Sequence, residues 1–191
     1  MSSMDMLDVG QANELKLACR RNDFTPDDLK WLCEGDMLSQ IRKLRYGHAV
    51  ITVPEHLIDL DADPFIPNGW SVEPGGHQKG GQFKWDVSKV ALHLSKKQQN
   101  GKVIGGHQLR EELKGQPVYN ANLLDYLLKH PHLIPEGWKG KCVFFWGTIY
   151  RDSDDGLCVR YLYWDGGRWG WRCSWLGLDF YDDCPAALRA S

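Results

Sequence analysis

Residues 142–150 read CVFFWGTIY and residues 157–164 read LCVRYLYW, with DSDDG between them at 152–156. A second turn signal, Asp165-Gly166-Gly167, leads into Arg168-Trp169-Gly170-Trp171. Short runs of aromatic and β-branched residues divided by Asp/Gly turns are strands of an antiparallel meander. Their spacing fits no helix, so residues 142–171 are committed to β structure, and the upstream elements must pack against it. The rest of the tail, residues 172–191, shows neither period and reads as irregular.

Upstream the signals are helical, then mixed. Thr25-Pro26-Asp27-Asp28 has an N-cap hydroxyl, proline at the first helical position and a carboxylate at N3. Met37, Leu38, Ile41 and Leu44 mark one apolar face, which Gly47 ends. Ala49-Val50-Ile51-Thr52-Val53 reads as a short strand stopped by Pro54. Residues 61–70 and 73–82 are rich in Pro and Gly and read as loops. Residues 90–94 read as a strand and residues 109–113 as a short helix. Asn120 caps a stronger helix striped by Leu123, Leu124, Leu127 and Leu128, which Pro131 ends. The order is helices, mixed loop-rich structure, then a meander: an α+β chain.

Composition removes several function classes. The 23 Lys+Arg and 25 Asp+Glu leave a net charge of −2, no electrostatic footprint for a nucleic-acid backbone. No apolar run approaches the ~20 residues that span a bilayer. No secretory signal is visible at residues 1–16, which leads us to expect a cytoplasmic protein, or one carried on a virion or exported by another route. None of the six cysteines forms a CxxC pair, so they are expected as free thiols. Cys142 and Cys158 read as small core residues, while Cys173 and Cys184 have no evident packing role. His130 and His132 form an HxH without a third ligand of known spacing. Gly75-Gly76 and Gly80-Gly81 lack the context of a phosphate cradle. No cofactor or metal is expected. The competing reading is a small cytosolic enzyme that uses His130, His132 and a cysteine.

The aromatics carry more. Of nine tryptophans, six (Trp138, Trp146, Trp164, Trp169, Trp171 and Trp175) fall between 138 and 175. After Lys141 there is no Lys, Glu, Gln, Asn, His or Met. The remaining mixture of Trp, Tyr, Phe, Gly, Asp, Arg, Cys, Ser and aliphatics has the character of a binding paratope. Trp146 and Trp164 suit a β core, with Trp169, Trp171 and Trp175 as fixed posts among chemically arbitrary neighbours.

These residues carry a resemblance. Asn120-Ala121-Asn122-Leu123-Leu124-Asp125-Tyr126, His130-Pro131, Ile134-Pro135, Trp138-Lys139-Gly140 and Phe144-Phe145-Trp146-Gly147-Thr148 are similar to small proteins of candidate-phylum bacteria and nanoarchaea. So are Val159-Arg160, Tyr161-Leu162-Tyr163-Trp164, the frame Trp169-x-Trp171-x-x-x-Trp175-Leu176 and the ending Pro185-Ala186-Ala187. The similarity covers roughly residues 11–191 and is densest after residue 83. The C-termini of such proteins resemble targets of diversity-generating retroelements, in which adenines of a template repeat are rewritten. The resemblance implies a C-type-lectin-like fold that displays variable residues to a ligand. Calcium-dependent sugar binding is not implied, because the tail has no Asn, Gln or Glu to ligate the ion.

Adenine mutagenesis of AAC or AAT codons gives only NNC or NNT codons, which cannot encode Lys, Glu, Gln, Met or Trp. The ten residues Arg172, Cys173, Ser174, Gly177, Leu178, Phe180, Tyr181, Asp182, Asp183 and Cys184 are all reachable. The excluded types make up about a fifth of ordinary composition, so chance gives this outcome roughly one time in ten. The expectation is therefore a helical segment at 1–47 packed on a C-type-lectin-like domain at 48–191, variable over about 169–191. Its role would be non-enzymatic recognition of a protein or other macromolecule through the ten outward-facing residues, with Trp146, Trp164, Trp169, Trp171 and Trp175 as scaffold.

Overall fold

The structure is a computed structural model and describes residues 8–49 and 55–190. Apart from Ala49, the strand expected over 49–53 lies outside the described residues. The chain divides into two compact units, residues 1–54 and 55–191.

The first unit holds helices α1 (Val9–Arg21), α2 (Pro26–Cys33) and α3 (Met37–Arg45). Asp8 and Gln11 form a capping box at α1; Thr25 and Asp28 form one at α2, with Pro26 in the first turn. The caps satisfy backbone donors that a helix start leaves unpaired. None of the described residues of these helices is buried, and Leu15, Trp31, Leu38 and Ile41 are exposed.

The second unit is α+β. Its strands are β1 (Leu57–Asp59), β2 (Ser71–His77), β3 (Gln82–Lys84), β4 (Val90–His93), β5 (Ile104–Gly105), β6 (Val143–Arg151), β7 (Leu157–Asp165), β8 (Arg168–Trp175), β9 (Asp179–Phe180) and β10 (Ala186–Arg189). Two helices, α4 (Gly106–Glu112) and α5 (Ala121–Lys129), fall between β5 and β6. The main sheet runs β4-β10-β6-β7-β8, and β2 pairs with the far end of β6. The expected meander is β6-β7-β8, antiparallel throughout.

Two regions differ from the sequence reading. The loop-rich stretch at 73–82 contains strand: Ser71 and Val72 pair with Arg151 and Tyr150, the register slips, and His77 pairs with Thr148. Backbone pairing across a bulge needs no side-chain alternation, so Pro74, Gly75 and Gly76 conceal it. The tail is not irregular either. β8 runs through Trp175, and β10 returns to lie antiparallel to β4 and parallel to β6. Ala186, Ala187 and Leu188 are all buried, and a strand covered on both faces shows no period of two.

The core lies on both sides of this sheet. On one side Leu123, Leu124 and Leu127 of α5 pack with Val143, Phe145, Leu162 and Trp138. Each such fully buried side chain contributes about 1.5–3 kcal/mol. Asn120 ties the start of α5 to the loops: its side-chain amide donates to the carbonyls of Leu60 (2.7 Å) and Gln78 (3.0 Å), and its oxygen accepts from the Asn122 backbone N–H. Gly147 is required beneath it, since a Cβ there would sit 2.8 Å from the Asn120 backbone nitrogen. On the other side Phe144, Trp146, Ile149, Val159, Leu176 and Phe180 pack together.

Candidate ligand-binding surface

β8 is an edge strand, and its register against β7 decides which way each candidate residue points. Leu162 lies opposite Trp171, Arg160 opposite Cys173 and Cys158 opposite Trp175; Tyr161 lies opposite Arg172, Val159 opposite Ser174. Side chains alternate across a strand. Trp169, Trp171, Cys173 and Trp175 therefore share the α5 face, while Arg172 and Ser174 share the opposite face with Tyr161 and Tyr163.

On that second face the aromatics form a ladder. The Arg172 guanidinium lies 4.8 Å from the Tyr163 ring centroid. Tyr163 neighbours Tyr161 at 6.0 Å, Tyr161 packs on Phe144 at 4.7 Å, and Phe144 meets Phe180 edge-on at 4.9 Å. The turn after β9 comes back to the same side: the Cys142 backbone N–H donates to the Asp183 carbonyl at 2.8 Å, and Cys184 faces Cys142. Gln98 holds this turn from behind, its amide donating to the carbonyls of Tyr181 and Cys184.

The ten candidate residues separate accordingly. Arg172, Gly177, Leu178, Tyr181, Asp182 and Asp183 are exposed, and Ser174, Cys173 and Cys184 are half-buried. Phe180 is not outward-facing. It is 1% exposed and packs on Phe144 and on Trp146 at 5.2 Å, because β9 pairs with β5 and turns this ring inward. Cys173 faces away from Arg172 and meets Cys158 under the opposite face.

The scaffold residues also divide. Trp146 is buried, whereas Trp164 and Trp169 are half-buried against each other at 5.2 Å, with the Lys139 ammonium 4.0 Å from the Trp164 centroid. Trp171 is half-buried over the Arg160 guanidinium at 4.1 Å. Trp175 is not core: it is 44% exposed, and its indole N–H donates to Asp152 at 2.6 Å in the β6–β7 turn. It is a strut between β8 and that turn.

Both tail cysteines acquire partners that the sequence did not suggest. The Cys158 thiol donates to Cys173, which lowers the Cys173 thiol to about 7 and raises that of Cys158. Cys184, whose thiol donates to the Asp183 carboxylate at 3.2 Å, lies against Cys142; the pairing lowers the Cys142 thiol and raises that of Cys184. All six cysteines are thiols in the structure. The groups acting on Cys173 are Cys158, Asp152 and Arg160, none of them an imidazole of the kind a Cys/His nucleophile uses.

His130 and His132 lie with His56, ring centroids 5.3–6.1 Å apart, and His56 Nδ1 hydrogen-bonds the Tyr126 hydroxyl. Among the described residues no three His, Cys, Asp or Glu side chains are arranged to hold a metal ion. No helix among the described residues is long and apolar enough to cross a membrane.

Beneath the surface lies a pair that sequence reasoning missed. Arg160, 1% exposed, donates to both oxygens of Asp125 at 2.6 and 3.0 Å, with Phe65, Tyr150 and Trp171 around its guanidinium. This ion pair ties α5 to β7 directly under Trp171. Comparison with protein-family models, curated proteins and solved structures gives no match to this chain.

Proposed function

We propose that the 55–191 unit is a C-type-lectin-like, non-enzymatic binding domain. Its recognition surface comprises the outer face of β8 and the turns at 177–184, and this surface is diversified by a retroelement to meet varied macromolecular partners. One observation carries the reading: the chemically arbitrary stretch 172–184 is mostly exposed, yet it is framed by β8 before it and the buried β10 after it. Side chains there can change without touching the core, except Leu176 and Phe180, which belong to it, and Cys173 and Cys184, which pack against it. Arg172 over Tyr163, the exposed Leu178 and Tyr181, and Asp182 and Asp183 offer a guanidinium, flat aromatic area and carboxylates together, a combination suited to a protein partner. The diversified positions are accordingly narrowed from about 169–191 to Arg172, Ser174, Gly177, Leu178, Tyr181, Asp182 and Asp183.

Deep sequencing of this gene and its flanking DNA from a natural population tests the proposal. The expected result is substitution concentrated in the codons of Arg172, Ser174, Gly177, Leu178, Tyr181, Asp182 and Asp183, confined to template adenines. A near-copy of the segment should lie beside a reverse-transcriptase gene. Variation spread evenly along the gene, with no such copy nearby, would overturn it.

A further inference from the structure

β6 changes partner along one edge. Near its start it lies beside β10, through Phe144, and from Thr148 onward it pairs with β2. At the changeover a cavity of about 450 Å³ opens between β2, β6 and α4, walled by Gly75, Gly76, Arg110, Lys114, Trp146 and Ile149. A second cavity of about 110 Å³ adjoins it across Gln78 and Val118 and is walled by Lys79, Tyr119 and Arg189. The glycine wall is obligatory: a Cβ on Gly76 would sit 2.8 Å from the Glu73 carbonyl oxygen.

The charge of this cleft opposes that of the chain. Against a net charge of −2 overall, its walls bring together Arg110, Lys114, Lys79 and Arg189 with one carboxylate, Glu111. Glu111 faces Lys114 at 3.8 Å. Arg110, Lys79 and Arg189 have no carboxylate within ion-pair distance among the described residues. Arg189 is already oriented, donating to the Gly80 carbonyl at 3.2 Å above the Tyr119 ring. Trp146, in the wall, has an indole N–H cut off from solvent with no acceptor among the described residues.

We propose that this cleft binds a small organic anion, a flat ring bearing a phosphate or carboxylate group. The guanidinium of Arg110 presents a planar fork of donors that matches either group. The backbone of Gly75 and Gly76 leaves room for a ring beside Leu113 and Ile149, and the larger cavity has the volume of a single small-molecule site. The cleft shares no residue with the surface at 172–184, so its occupancy stands or falls independently of that proposal.

Calorimetric titration of the full-length protein with phenyl phosphate, benzoate and inorganic phosphate tests this. It is paired with 15N spectra in which the Trp146 indole resonance is assigned by loss in Trp146→Phe. Phenyl phosphate or benzoate is expected to bind one-to-one with a Kd on the order of 0.1 mM, weakened by added salt, and to move the Trp146 resonance. The tighter of the two names the anion. Arg110→Gln and Lys79→Gln should each weaken binding about tenfold, the loss of one charge-assisted contact, and Arg172→Gln should leave it unchanged. No binding by either aromatic probe, or undiminished binding to Arg110→Gln, would overturn the site. Inorganic phosphate binding as tightly as phenyl phosphate would overturn the ring subsite.

Discussion

The buried pair of Arg160 and Asp125 allows a quantitative forecast. Arg160 is 1% exposed, and its two bonds to Asp125, at 2.6 and 3.0 Å, are the only hydrogen bonds its guanidinium makes among the described residues. Asp125→Ala leaves that charge buried against Trp171, Phe65 and Tyr150, where the aromatic faces offset part of the loss, a desolvated cation over one ring returning about 2 kcal/mol. Breaking a buried pair from one side costs about 3–5 kcal/mol. Because Asp125 is itself 22% exposed and water can reach the gap, we place Asp125→Ala near 3 kcal/mol. Arg160→Met removes the charge and keeps much of the volume, and such replacements are often close to neutral; about 1 kcal/mol is expected for the lost stacking on Trp171. The double variant should resemble Arg160→Met, so that it is more stable than Asp125→Ala alone. Urea unfolding followed by near-ultraviolet circular dichroism measures all three against the parent. If Arg160→Met costs as much as Asp125→Ala, or the double variant is the least stable, the pair is not a charge held by its counter-ion and the reasoning fails.

Two further outcomes follow from the same packing. Phe180→Ala should destabilise by about 3–5 kcal/mol as a buried aromatic truncation, while the neighbouring Tyr181→Ala, 56% exposed, should stay within about 0.5 kcal/mol; equal effects in thermal denaturation would contradict the inward orientation of β9. Burial holds the His77 imidazole below its ordinary value of 6.5, so the folded state favours the neutral ring and its contribution is complete above pH 6.5. As the pH falls through 6.5 the unfolded chain takes the proton first and stability declines. His77→Gln should flatten that acid limb, and a parent-like slope in the variant would assign it elsewhere.

The meander and α5 were legible because their side chains obey one period over a full element and are bounded by strong turn or cap residues. The rest was hidden for identifiable reasons. β10 spans only Ala186–Arg189 and is buried on both faces, so nothing in AALR alternates. β2 pairs through backbone on either side of a bulge, where Pro and Gly read as loop. Phe180 was assigned outward with its neighbours because β9 is too short to show a period. Trp175 reads in the sequence as a fixed post, but what fixes it, a hydrogen bond to Asp152 23 residues away, leaves no local pattern. Arg160 and Asp125 are 35 residues apart and meet only when α5 settles on the sheet. The cleft arises where β6 exchanges one neighbour for another, an event of topology that no local pattern records.

The position of β10 has a consequence for how the chain tolerates change. The last strand in sequence fills a central slot in the sheet, joining β4, some 95 residues earlier, to β6. Contacts of such long range form late and only when the whole intervening segment is compatible with them. A stop codon or a frameshift within 172–184 removes that strand, opening two unpaired edges in the middle of the sheet. Chains without β10 are expected to remain unfolded and to fall to proteolysis, so closure of the sheet would depend on the segment before β10 being read through in frame.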